Sequence, residues 1–135
     1  MKFTYHKDRT LLPSSDNWVW VFGSNLAGIH GAGAAKQAIK YGAKYGHGIG
    51  IQGWTYAIPT KDHDIKTMPI INIVPYIERF ERFTKQYPQL KFFVTAIGTG
   101  LAGYTDKDMA PLFKNCGPNC CFPEQWQSLL ETPEE

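Results

Sequence analysis

Apolar residues along the chain fall into short unbroken runs and one long helical stripe, separated by glycine-rich or polar stretches. The first clear run is Trp18-Val-Trp-Val-Phe22, preceded by the turn-forming segment Pro13-Ser-Ser-Asp-Asn17. A strand that is apolar without alternation is buried on both faces, as in a parallel α/β sheet. Residues Gly23–Gly33 read as loop, and Ala34–Tyr41, rich in good helix formers, as a helix stopped at Gly42. A second glycine-dense stretch, Gly46–Gly53, leads into a strand at Trp54–Ile58 and a polar loop over Pro59–Asp64.

The best helical pattern covers Ile73–Gln86. Ile73, Val74, Ile77, Phe80 and Phe83 share one face, and Glu78, Arg79, Glu81 and Arg82 the other. Asn72 is the predicted N-cap, which places Pro75 in the first turn, where its missing N–H is harmless. Lys91–Ile97 is the next buried strand. A short helix over Asp106–Lys114, capped by Thr105 or Asp106, a strand over Asn119–Phe122 and a tail helix over Gln125–Glu131 complete the reading. Strands and helices alternate, so the class is α/β with a mostly parallel sheet, and 135 residues without repeat or linker make one domain, 1–135.

Composition narrows the function. A chain 43% hydrophobic and 19% charged is globular, and its net charge of +2, with fourteen scattered basic residues, argues against nucleic acid as the main partner. No apolar run reaches the roughly 18 residues that span a bilayer. The N-terminal stretch MKFTYHKDRT lacks the apolar centre of a signal peptide, so no membrane partner and a cytoplasmic location are expected. Cys116, Cys120 and Cys121 are odd in number and confined to one place, and His6, His30, His47 and His63 are far apart in sequence. Neither a disulfide framework nor a zinc site has that pattern. The cysteines are expected to be reduced and structural, with no metal and no cofactor.

The chemistry lies in the glycine loops. Loops 23–33 and 98–103 follow strong strands and open toward helices. There, backbone N–H groups come close to a ligand and the helix dipole favours an anion. Two such cradles at strand ends suit a diphosphate. The spacing GxGxxG occurs twice, at Gly48, Gly50, Gly53 and at Gly98, Gly100, Gly103. The first runs into a strand instead of a helix, and the second leaves only about one further βα unit downstream. Neither context is that of a dinucleotide-binding half-domain, and no phosphate-loop motif of the G-x-x-x-x-G-K-[ST] type is present.

These loops resemble those of the macrodomains, the ADP-ribose-binding α/β/α family. Val19-Trp-Val-Phe-Gly-Ser-Asn25, followed by Gly28-Ile-His-Gly-Ala-Gly33, is similar to the strand, asparagine and glycine loop of that family. Ala96-Ile-Gly-Thr-Gly-Leu-Ala-Gly-Tyr104 looks like its late loop, and Tyr56–Asp62 with the long helix resembles the terminal ADP-ribose glycohydrolase branch. The likeness covers roughly residues 18–115. It implies a three-layer α/β/α fold with a mixed, mostly parallel central sheet, binding ADP-ribose or a related NAD-derived nucleotide. Asn25 would contact the distal ribose, the backbone of Gly31, Ala32, Gly33 and Ala34 would line the same side, and Tyr104 would pack near that ribose. Gly98, Thr99, Gly100, Leu101, Ala102 and Gly103 would cradle the diphosphate, and Asp8 or Asp16 would serve the adenine.

Two departures bear on chemistry. The branch places an acid in the late loop where this chain has Ala102, and the first member of the family's asparagine pair is replaced by Phe22 or Gly23. Lys61 lies near the position of the branch's nucleophilic lysine, and His30, inside the first loop, could act as a general base or only bond locally. Asp106 and Asp108 are expected to cap their helix. Trp54 and Tyr56 are either core or an aromatic platform for adenine, while Trp18 and Trp20 pack the sheet. Three functions stay open: an ADP-ribose-binding module, a hydrolase acting on an ADP-ribosylated macromolecule or a small ADP-ribose derivative through His30 or Lys61, and an α/β scaffold without ligand.

Overall fold

A computed structural model describes residues 1–13 and 17–131. The turn expected at Pro13–Asn17 and the candidate Asp16 fall largely or wholly outside them.

Six strands form one sheet in the order β1-β6-β5-β2-β4-β3: β1 (Thr4–His6), β2 (Trp18–Asn25), β3 (Gly50–Gln52), β4 (Thr55–Lys61), β5 (Lys91–Val94) and β6 (Cys120–Pro123). All neighbours are parallel except β3 and β4. The helices are α1 (Gly33–Ile39), α2 (Ile70–Gln86), α3 (Asp106–Met109) and α4 (Gln127–Leu130), with 3-10 turns at Ala110–Phe113 and Glu124–Trp126. The chain is thus a mixed α/β protein with a mostly parallel sheet.

The apolar runs behave as their lack of alternation requires. On β2, Val19 and Val21 face a large core with Tyr56, Ile58, Phe92 and Val94, closed by Ile73, Ile77 and Phe80 of α2 and by Met109, Phe113 and Trp126. The alternate residues Trp20 and Phe22, with Ala57 and Phe93, face a smaller cluster closed by Ala38 of α1. Successive strand side chains point to opposite faces, so α1 covers one face and α2 and α3 the other. Cys116, Cys120 and Cys121 are buried and unbridged, and burial pushes the Cys116 thiol far above its usual range.

Several boundaries differ from the sequence reading. β2 runs on through Gly23, Ser24 and Asn25, and β4 through Pro59, Thr60 and Lys61, since both are paired where composition suggested loop. Proline fits within β4 because β2 and β4 exchange only alternate groups and a bulge lies next to it. α2 begins three residues early, with Pro69 at the N-cap. Asn72 is therefore not the cap, and Pro75 sits inside the helix and leaves the Ile71 carbonyl without its helical donor. Ile71 is 77% exposed, so water can take that place. β1 and β3, three residues each, carry no pattern of their own and exist through their neighbours.

Asp106 and Asp108 divide the capping work. Thr105 and Asp108 form a reciprocal capping box, with Thr105 N–H donating to Asp108 Oδ2 at 3.0 Å and Asp108 N–H to Thr105 Oγ1 at 3.2 Å. Asp106 Oδ1 instead accepts the indole N–H of the fully buried Trp126 at 2.7 Å. Asp106→Ala is expected to destabilise the fold by about 1–3 kcal/mol, the cost of orphaning a buried donor. A urea melt with an unchanged midpoint would show that Trp126 finds another acceptor.

Candidate functional site

The central strand β2 has β5 on one side and β4 on the other. From β2 the chain crosses to α1 on one face, and from β5 to α3 on the other. The loops 26–32 and 95–105 therefore diverge from neighbouring strand ends, which is where open α/β sheets take ligands. Gly23 forms the floor between them: a Cβ there would lie 3.5 Å from Ile97 Cγ2 and 3.6 Å from Gly98 N.

The late loop is built around free donors. The N–H groups of Gly98, Gly100, Leu101 and Ala102 meet no acceptor among the described residues. Gly98 and Gly103 hold φ of 81° and 87°, which side chains rarely adopt. Met109 lies under Gly98, where an added Cβ would come within 3.0 Å of its Sδ and Cε. Two internal bonds close the loop, Gly103 N–H to Gly100 O at 3.0 Å and Tyr104 N–H to Gly98 O at 2.9 Å. Thr99 donates its hydroxyl back to Ala96 O at 2.7 Å.

Across the divide, Ala32 caps α1 without a side-chain bond, so the first-turn N–H groups of Gly33 and Ala34, like that of Gly31, meet no acceptor among the described residues. A Cβ on Gly31, Gly33, Gly100 or Gly103 would meet nothing within 4 Å. Both glycine loops thus present bare backbone toward open space.

Asn25 clamps the first loop. Its Oδ1 accepts Ile29 N–H at 2.9 Å, and its Nδ2 donates to Ile29 O at 2.8 Å. One amide proton and one oxygen lone pair remain for a ligand. A bulge after Ser24 sets Lys61, not Thr60, opposite Asn25, and Lys61 O accepts Leu26 N–H at 2.9 Å. Lys61 and Asn25 therefore end adjacent strands side by side.

The second glycine stretch is structural. Ser24 Oγ donates to Gly48 O, and Gly46 N–H donates to Gly28 O at 3.0 Å. A Cβ on Gly48 would overlap the Asn25 carbonyl and one on Gly53 would come within 2.9 Å of Gly42 Cα, while Gly50 opens β3 at a φ of 80°.

Several candidate side chains are engaged within the fold. His30 is fully buried beneath residues 44–47, with Nε2 at 3.0 Å from Lys44 O and the ring against Phe22 and Tyr45. A ring so enclosed does not reach a ribose in the crevice, because residues 44–46 fold over the glycine loop and bond to it. Tyr104 donates its hydroxyl to Met68 O at 2.5 Å, with its ring against the main core, so it braces the loop and does not offer a stacking face. Tyr56 is core between Phe80 and Phe83, and the exposed Trp54 precedes β4 at the end of the sheet away from these loops. Asp8 lies just past β1, where Arg9 N–H and the Gln125 amide bind its carboxylate.

The hairpin after β4 has its own anchor. Asp62 Oδ1 accepts Asp64 N–H at 2.8 Å and Lys66 N–H at 3.0 Å. The Lys66 bond first, and then the Asp64 bond against some desolvation, hold the Asp62 carboxyl below its ordinary value, as the Thr105 backbone and hydroxyl do for Asp108. A carboxyl lowered in the folded state stabilises the fold above the ordinary value of 3.8 and loses that contribution as pH falls through the folded value. Stability is therefore expected to fall on acidification below about 4, and the double variant Asp62→Asn, Asp108→Asn to flatten that limb in urea melts between pH 6 and pH 2. An acid limb identical to the wild type would exclude these two groups as its source.

Among the described residues no three His, Cys, Asp or Glu are grouped to hold a metal, and no helix is long and apolar enough to cross a membrane. A cavity of about 270 Å³ between α2 and the 110–113 turn, lined by Ile77, Glu81 and Leu112 among others, shares no residue with the strand-end loops. Comparison of the chain with protein-family models, with curated proteins and with solved structures finds no match.

Proposed function

We propose that the chain is a macrodomain-like module with a three-layer α/β/α fold that binds ADP-ribose or a related NAD-derived nucleotide across the carboxyl ends of β5 and β2. The observation that carries this reading is the late loop, whose four unpaired N–H groups at Gly98, Gly100, Leu101 and Ala102 form a neutral donor set for a diphosphate. The spacing of the other candidates supports it. Asp8 follows β1, two strands from β5, or about 10 Å at about 4.8 Å per strand. Asn25 and Lys61 lie on the opposite side of the late loop. Adenine toward Asp8, diphosphate at 98–103 and distal ribose toward Asn25 is an order that an extended nucleotide can span.

The place of Lys61 beside Asn25 favours hydrolysis as the second reading, since a lysine there would stand at the distal ribose. The late loop contributes no carboxylate, because Ala102 occupies that position, and His30 is enclosed. Binding is therefore the primary reading.

Calorimetry with ADP-ribose, AMP and NAD tests it, with ADP-ribose expected to bind most tightly. Absence of heat and of any thermal shift at millimolar ligand would overturn it. An ADP-ribosylated peptide then separates reader from hydrolase. Release of ADP-ribose that is lost in Lys61→Ala but kept in His30→Ala would establish lysine chemistry.

A further inference from the structure

The internal bonds of the late glycine loop hold only part of its shape, since none of them engages the N–H groups of Gly100, Leu101 or Ala102. Its tip contains Gly98, Gly100 and Gly103, and a segment so rich in glycine loses much conformational entropy when it is fixed, at about 1–2 kcal/mol per residue. For its free N–H groups to converge on one anion, something outside the loop has to fix the peptide planes. Two side-chain hydroxyls do so, and both join the loop to the hairpin that follows β4. Thr67 Oγ1 donates to Ala102 O at 2.9 Å, and Tyr104 Oη donates to Met68 O at 2.5 Å.

The Thr67 bond acts at a particular place. The carbonyl of Ala102 and the N–H of Gly103 share one peptide plane. Thr67 holds its oxygen, and Gly100 O, at 3.0 Å, holds its N–H. That plane is held at both ends, immediately after the three donors at 100–102. Thr67 is itself fixed, because it pairs across the hairpin with Lys61 at the end of β4, while Met68 N–H donates to Thr60 O at 2.9 Å. The strand that carries Lys61 opposite Asn25 thus also carries the clasp on the late loop.

We infer that Thr67 and Tyr104 are positioning residues that preorganise the late loop for a diphosphate, acting through the backbone of Ala102 and Met68 and not by touching the ligand. This rests on the reading of 98–103 as the anion site. Preorganisation raises affinity by removing ordering cost from the binding step. Thr67 is exposed, and its hydroxyl contributes little to the core, so its loss should register in binding far more than in folding.

The test uses ADP-ribose and inorganic pyrophosphate as probes in calorimetry with the full chain. Thr67→Val, which keeps the shape and removes the hydroxyl, and Tyr104→Phe should each weaken both probes by about five- to tenfold, the equivalent of one hydrogen bond. Thr67→Ser, which restores the hydroxyl, should bind within about twofold of wild type. In ligand-free Thr67→Val, the Gly103 and Tyr104 amides should exchange hydrogen faster while core amides do not change, a local loosening that a global loss of stability would not produce. Wild-type binding with all variants within about twofold of it, or Thr67→Ser as weak as Thr67→Val, or unaltered exchange at Gly103 and Tyr104, overturns the positioning role and leaves the nucleotide reading standing. Wild-type protein that binds neither probe overturns both.

Discussion

Gly100→Glu is expected to weaken ADP-ribose binding by at least about 30-fold while leaving the fold intact. Gly100 is exposed, its φ lies outside the left-handed region, and a Cβ there would meet nothing within 4 Å. The side chain is therefore free of the folding cost that most glycine substitutions in such a loop would carry. Its carboxylate, however, would stand at the mouth of the donors at 100–102, where it repels a diphosphate and competes for its N–H groups. Two like charges about 4 Å apart near a protein surface oppose each other by about 4 kcal/mol. Even with half of that screened, affinity falls by at least about 30-fold. Gly100→Gln adds the same bulk without charge and should keep most of the affinity, so the pair separates repulsion from obstruction. Unchanged calorimetric affinity in Gly100→Glu, at an unchanged melting temperature, would remove the late loop as the anion site.

The second large effect belongs to folding. Gly48→Ala is expected to destabilise the protein by about 3 kcal/mol, at the upper end of overpacking costs. The added Cβ would overlap the carbonyl oxygen of Asn25, a backbone atom at the end of β2 that is held by Gly28 N–H at 3.0 Å and has little room to move. Gly28→Ala should cost at least as much, since its Cβ would overlap backbone at residues 46 and 47 and φ there is 71°. Gly31→Ala, in open space and at ordinary φ, should shift stability by less than about 0.5 kcal/mol. Urea melts of the three variants decide it. A mild Gly48→Ala would mean that the Asn25 loop and the 46–48 loop can part without cost, and the first cradle would then be loose.

These contrasts show how differently the glycines were legible. Loops 23–33 and 98–103 announced themselves through composition beside apolar strands, and the late loop does carry the free donors such a segment suggests. The 46–53 stretch had the same composition and a better-known spacing, yet its glycines serve close contact between backbones and a turn. Composition reports that a backbone is bare. It does not report whether the bare side faces solvent or another chain segment.

The candidate side chains divide in the same way. The place of His30 inside a glycine loop suggests an open side chain, but its ring is held from fourteen residues away, by the Lys44 carbonyl. Tyr104 was placed near the ribose by resemblance, and its hydroxyl is taken by Met68, thirty-six positions distant. Thr67 carried no signal at all: an exposed threonine in a polar loop matters only because Ala102 lies next to it in space.

What the amino-acid order determined alone is what short-range periodicity can encode. The apolar stripe of α2, the two-sided burial of β2 and β5, the Thr105 cap and the α/β class all follow from residues within one or two turns of each other. Tertiary structure decided the rest: the existence of β1 and β3, the extension of β4 through Pro59 to Lys61, the bulge that sets Lys61 opposite Asn25, and the clasp of the hairpin on the late loop. Each of these depends on a partner strand or loop far along the chain. A backbone hydrogen bond gains its stability from the group it meets, and a local pattern cannot name that group.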